Sequence, residues 1–236
     1  MDKIDFTLIL ACYNEGPTLL NSLKQIEKIM NDTKYKWECI CINDSSRDNT
    51  YQTLQTFVRS RKNFQLYNHE KNIGRGGTVS EGIKKSKGRV VGFIDVDLEV
   101  SEIYIPIFIK AVDEGADIII ATRVYKIAFS NLIRALSTKV YVMLATFILD
   151  LKFKDTEAGY KFFNRKKILP ILEKTKDKHW FFDTEIVARS YWSGLKIKEI
   201  PVLFIRRNDK ASTVRLIPDT YAYLKALWNF KKSLQI

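Results

Sequence analysis

The 236 residues carry 39 basic and 27 acidic side chains, a formal net charge of +12, and 46% hydrophobic residues. That apolar content supports a full core and excludes global disorder, and the length suits one large α/β domain or at most two small ones. The longest apolar run, Val140 to Leu149, falls short of the about 20 residues that cross a bilayer, while Cys12, Cys39 and Cys41, lacking any Cys-x-x-Cys or Cys/His cluster, read as buried thiols of a cytosolic protein.

Met1–Asp5 reads without a secretion signal, and Phe6–Ala11 (FTLILA) as a buried strand. A helix opens at Pro17 and runs to about Met30, followed by a strand over Trp37–Asn43 and a helix over Thr50–Arg61. Phe64–Asn68 is a third strand, Gly77–Ser86 a helix behind a Gly-rich turn, and Val90–Asp95 a fourth strand. Ser101–Glu114 reads as helical and Asp117–Ala121 as a fifth strand. This alternation, with continuously apolar strands, predicts a mostly parallel sheet with helices on both faces. The second half is less regular. Ile127–Leu151 has helical periodicity, Asp155–Phe163 a turn entering a short strand, and Phe182–Ser193 a helix. Lys196–Val202 reads as an edge strand closed by Pro201, and Pro218 to the end as a basic amphipathic helix.

In such sheets ligands bind beyond the carboxyl ends of the strands. Three unusual loops sit there: Tyr13-Asn14-Glu15, Asp44-Ser45-Ser46 and Asp95-Val96-Asp97. Asn14 and Asp44 also have a plain alternative as helix caps. Asp95, Asp97 and Glu99 alternate at the end of the fourth strand, a hard-oxygen set suited to Mg²⁺ or Mn²⁺. Mg²⁺ takes only one or two carboxylates and completes its shell with water and phosphate, which points to a metal shared with a nucleotide diphosphate. Asn72-Ile73-Gly74-Arg75-Gly76-Gly77 matches neither the dinucleotide fingerprint nor the P-loop. Its glycines still let backbone N–H groups approach an anion at a helix start.

Together, Ala11–Glu15, Asn43–Thr50, Asn72–Gly77, Asp95–Asp97 and Asp155–Lys161 resemble the family 2 inverting glycosyltransferases of the GT-A fold. Among these the chain is most similar to the polyprenyl-phosphate (dolichyl-phosphate) glucosyl- and mannosyltransferases, from about Phe6 to Arg215. The resemblance implies a single catalytic domain over 1–215, with a nucleotide-sugar half (1–122), an acceptor half (123–215), and an appended helix (216–236). It implies that Ala11, Tyr13, Asn14, Glu15, Asn43 and Asp44 surround the base and ribose. Gly74, Arg75, Gly76, Asp95, Val96 and Asp97 face the diphosphate, with Asp95, Asp97 and Glu99 as metal ligands. Ala11 stands where proline is common, and Asn43 replaces the first of two usual aspartates. The Gly-Arg-Gly-Gly turn and His179–Glu185 lean toward UDP-glucose over GDP-mannose.

The positive charge lies mainly downstream: residues 1–100 hold 15 basic and 13 acidic residues, and residues 101–236 hold 24 and 14. A polyprenyl phosphate needs no general base, because its second pKa of about 6 leaves it anionic at neutral pH. It needs cations, and Arg123, Arg134 and Arg206 are the candidates. Asp155 and Glu185 fall near the acceptor by resemblance, with Glu185 a base or an arginine holder, whereas Asp183 reads as a helix cap. The expected activity is a metal-dependent hexosyl transfer at the cytoplasmic face of the membrane. The chain would sit peripherally on an anionic surface or dock on a membrane-embedded partner. Two rivals stand beside it. One is a saccharide acceptor in cell-surface polysaccharide or teichoic-acid assembly, with Glu185 as base. The other is a basic nucleic-acid-binding protein, against which no recognition motif appears.

Overall fold

The computed structural model describes residues 3–125, 147–207 and 216–234. Four parallel strands, β1 (Phe6–Cys12), β2 (Trp37–Asn43), β3 (Phe64–Asn68) and β4 (Val90–Ile94), alternate with α1 (Gly16–Asn31), α2 (Thr50–Val58) and α3 (Arg75–Lys85). A short 3₁₀ turn (Glu102–Tyr104) and α4 (Ile105–Asp113) lead to β5 (Ile118–Tyr125). The second half supplies β6 (Tyr160–Asn164), α5 (Arg165–Lys174), α6 (Phe182–Trp192), β7 (Ile197–Phe204) and α7 (Leu216–Ser233). Among the described residues seven strands form one sheet, ordered β3-β2-β1-β4-β6-β5-β7. Strand β6 runs antiparallel to its neighbours, wedged between β4 and β5.

Alternation along the strands supplies both faces of the sheet. Phe6, Leu8 and Leu10 of β1 point toward Leu19, Leu23, Ile26 and Met30 of α1 and Phe108 of α4. Ile9 points the other way, toward Val79 and Ile83 of α3, Ile168 and Leu172 of α5, and Phe182 and Ile186 of α6. A third cluster of Leu149, Leu151, Phe181 and Ala188 seats α7 through Tyr223, Leu227 and Phe230. The three cysteines are buried and none is in a disulfide.

Several elements differ from their sequence reading. Helix α3 begins at Arg75, inside the Gly-rich turn. Strand β5 runs four residues past Ala121 because β7 pairs with it along its whole length, which carries Arg123 to the sheet edge. Pro201 lies inside β7, opposite Thr122, and does not close it; an edge strand tolerates the missing N–H. Helix α5, with Pro170 inside it, has no counterpart in the sequence reading. The greater part of the Ile127–Leu151 segment, including Arg134, lies outside the described residues. No helix among the described residues is long and apolar enough to cross a membrane.

Candidate active site

The sheet direction gathers the predicted loops. Strands β1, β2, β4, β5 and β7 all end at one edge, and β6 begins there. Loops 13–15, 44–49, 95–99 and 155–159, Arg123 near the end of β5 and Arg206 after β7 therefore converge on it.

The first two loops are laced together. The Asn14 backbone N–H donates to Ser46 Oγ at 3.0 Å, and Asn14 Oδ1 accepts from the Arg47 N–H at 2.8 Å. Asn14 and Ser45 both take positive φ, at 56° and 60°. Neither Asn14 nor Asp44 caps a helix. Asp44 is buried and organises the Gly-rich turn: Oδ1 accepts from the Ile73 N–H at 2.9 Å and Oδ2 from the Gly74 N–H at 3.0 Å. His69 bridges Asp44 at 2.7 Å and Glu81 at 3.0 Å. Gly74 has φ 86°, and a Cβ there would meet Lys178 O at 2.4 Å. Asn43 donates to Asn68 Oδ1 at 2.7 Å, while its own Oδ1 is buried without a partner. Tyr13 and Glu15 stand half-buried at the mouth. Val96 is buried in the core and Ala11 packs beneath the sheet, so neither side chain faces the edge.

A charge network fixes the carboxylates after β4. Arg75 reaches Asp95 Oδ1 with Nη2 at 2.7 Å and pairs with Asp183 through Nη1. Lys161, wholly buried, meets the other Asp183 oxygen at 2.7 Å. Burial opposes the Arg75 charge, but Asp183 and Asp95 outweigh it and raise its pKa. Burial lowers the Lys161 pKa despite Asp183. Gly159 permits this packing, since a Cβ there would lie 2.0 Å from Asp95 Oδ2. Asp183 is therefore an ion-pair centre, which corrects its reading as a helix cap; α6 has no side-chain cap.

Asp97 is pushed up to about 7, by burial first and then by Asp95 and Glu99. Such a carboxyl is costly to ionise alone and suits a divalent cation, whose charge would hold it ionised. Glu99 Oε1 accepts from the Arg207 N–H at 3.1 Å. Among the described residues no three acidic, histidine or cysteine side chains converge closely enough to hold an ion. Asp95 and Asp97 thus fit a cation completed by ligand oxygens, not a closed protein cage.

Across the edge, where β5 and β6 meet, Asp155 grips Arg123 in a fork, Nε–Oδ2 2.7 Å and Nη2–Oδ1 2.9 Å. It also accepts from the N–H groups of Arg123, Glu157 and Ala158. Glu185 is equally engaged, accepting from the Lys176 and Asp177 N–H groups and from Arg189. This placement makes it a scaffold for the 176–177 turn and an arginine holder. Arg206 stands half-buried beyond β7. Glu157 escaped the sequence reading. Its carboxyl is pushed up to about 7 by burial, against the pull of Arg123 and with the push of Asp155, and it bonds Tyr223 of α7. The Tyr223 hydroxyl also meets Thr184 at 2.9 Å, and Thr184 meets Thr156 at 3.1 Å.

A family model, Glycosyl transferase family 2, matches residues 7–172. Glycosyltransferase AglD of Haloferax volcanii is 22% identical over 95% of the chain and 37% of its own length. A dolichyl-phosphate beta-glucosyltransferase of Trichomonas vaginalis is 27% identical over 85% of the chain and 65% of its own. That of Saccharomyces cerevisiae is 26% identical over 85% and 67%. The chain thus spans about a third of the first relative and about two thirds of the others. Among solved structures, Mycobacterium tuberculosis glucosyl-3-phosphoglycerate synthase, in complex with Mn²⁺, uridine diphosphate and glucosyl-3-phosphoglycerate, superposes with TM-score 0.68 at 15% identity over 95% of this chain and 77% of that one. Staphylococcus aureus TarS with UDP-GlcNAc gives 0.58 at 16% identity, over 95% and 65%.

Proposed function

The chain belongs to glycosyl transferase family 2, and from that premise we propose that it moves a hexose from a nucleotide sugar to a polyprenyl phosphate with inversion at the anomeric carbon. UDP-glucose is favoured over GDP-mannose, and the reaction takes place at the cytoplasmic face of a membrane. The observation that carries the choice of acceptor is the state of the carboxylates. A hydroxyl acceptor requires a general base, yet Asp155 and Glu185 spend their oxygens on backbone N–H groups and arginines. A phosphate monoester arrives already anionic. Its oxygen attacks C1 as the bond from C1 to the diphosphate breaks, and the nucleoside diphosphate leaves with the bonding pair.

In this reading Arg123, aimed by Asp155, holds the acceptor phosphate, with Arg206 beside it and Arg134 assigned by resemblance alone. Two unit charges about 4 Å apart cost roughly 4 kcal/mol at an effective dielectric of 20, so these cations offset the repulsion between acceptor and donor phosphates. Tyr13, Glu15 and the unpaired Asn43 Oδ1 serve the base and ribose, and the Gly74–Gly76 turn with Arg75 serves the diphosphate. When bound, Mg²⁺ or Mn²⁺ on Asp97 and Asp95 would neutralise charge on the leaving diphosphate. The Mn²⁺ and uridine diphosphate of the mycobacterial neighbour support this. The lipid is met at an anionic membrane surface, by the chain alone or docked on a membrane-embedded partner.

The test incubates the protein with labelled UDP-glucose, GDP-mannose or other donors and polyprenyl phosphate, and scores label extracted into organic solvent. Lipid-linked label from UDP-glucose is expected. Its absence with every donor would favour the second reading, a saccharide acceptor, for which one observation speaks. Glu157, with a pKa near 7, is tuned as a general base should be. Glu157→Gln then separates the readings: it abolishes transfer to a hydroxyl and spares transfer to a phosphate.

A further inference from the structure

Helix α7 has two apolar stripes where a surface helix needs one. Tyr223, Leu227 and Phe230 face inward at 8%, 1% and 6% exposure. Tyr221, Leu224 and Trp228, spaced three and four residues apart, form a second stripe at 70%, 37% and 55% exposure. Lys225, Lys231 and Lys232 flank it, and Tyr221–Ser233 contains no carboxylate. The Lys232 ammonium lies 5.7 Å from the Trp228 ring centroid.

We propose that this outer face of α7 docks on an anionic lipid surface, with Tyr221, Leu224 and Trp228 in the interfacial layer and the three lysines at headgroup level. The chemistry is that of an interfacial helix, aromatic and aliphatic groups beside lysines. The alternative occupant, a second copy of this chain, would bring the same lysine cluster against itself in a two-fold contact. The position also fits. The inner face of α7 sends Tyr223 to Thr184 at 2.9 Å and to Glu157, beside the Arg123–Asp155 pair. A membrane under the outer face therefore lies next to the acceptor end of the site. The inference deepens the lipid-acceptor reading, on which it rests, by naming the surface from which the acceptor is taken.

The experiment is co-sedimentation of the full chain with phosphatidylcholine vesicles, with and without phosphatidylglycerol. Binding is expected only with the anionic lipid, and it weakens as salt rises. Each lysine contributes roughly fivefold to partitioning, so Lys225→Ala, Lys231→Ala and Lys232→Ala together reduce it on the order of a hundredfold. Leu224→Ser with Trp228→Ser reduces it about tenfold or more, with an unchanged thermal midpoint because both side chains are exposed. Leu20→Ser, exposed on α1, sediments like the parent. Three outcomes overturn the proposal: the parent ignores anionic vesicles, the serine variant binds them equally, or sedimentation velocity finds a dimer that the serine variant loses. Transfer to polyprenyl phosphate in detergent separates this from the functional reading. The serine variant keeps that transfer, whereas its absence in the parent defeats the lipid-acceptor function and leaves the vesicle result standing.

Discussion

Glu157 is the residue whose charge state bears most on the proposed acceptor. Burial raises its pKa to about 7, above the about 4.3 of a free glutamate. The neutral form is therefore favoured in the fold, and its stabilisation is full below the unfolded pKa and lost as pH rises through about 7. With a phosphate acceptor, the ionised form adds a like charge beside Arg123. Activity is then expected to fall as pH rises past 7, and Glu157→Gln to flatten that limb; pH profiles of kcat/KM for both proteins decide it. Asp183 tests the network beneath the carboxylates after β4. Asp183→Asn leaves Lys161 buried without its counter-charge, a change that typically costs about 3–5 kcal/mol. Urea unfolding should show that loss, and a variant as stable as the parent would mean the network is dispensable. Asp97→Asn is expected to keep the parent midpoint, because it removes a carboxyl that burial already disfavours, while turnover collapses. Unchanged turnover would remove Asp97 from the metal assignment.

Among the elements, β5 and α7 depart most from what their sequences suggest alone. The apolar run DIIIA stops at Ala121, yet β5 continues to Tyr125 because β7 pairs beside it. That extension carries Arg123 to Asp155. Helix α7 reads as an appended basic helix, but its inner stripe closes the third core cluster. Leu227→Ala is expected to destabilise by about 2–5 kcal/mol, as buried leucine truncations do. A thermal midpoint unmoved by that change would return α7 to the status of an appendage.

At the scale of the molecule, the two halves share one sheet. Strand β6 from the second half stands between β4 and β5 of the first, and Phe162 stacks on Phe6 at 5.1 Å. A boundary near residue 122 therefore divides roles, not folding units. Far-ultraviolet circular dichroism and tryptophan fluorescence should give coincident unfolding transitions. A stable proteolytic fragment ending near residue 122 would contradict this.

The β/α alternation is legible in the sequence, because apolar runs and turn residues are local signals; so are the loops at the strand ends and the Asp95–Asp97 pair. Lys161 inside the apolar run YKFF was a legible sign of a buried charge, but its partner was not. Packing between distant elements is what joins Asp183 to Arg75 and Lys161, engages Asp155 and Glu185 with their neighbours, and pushes the Glu157 carboxyl up to about 7. The reason is physical. A carboxylate's role depends on burial and on which charges lie within a few ångströms, and those neighbours come from strands and helices distant in the chain.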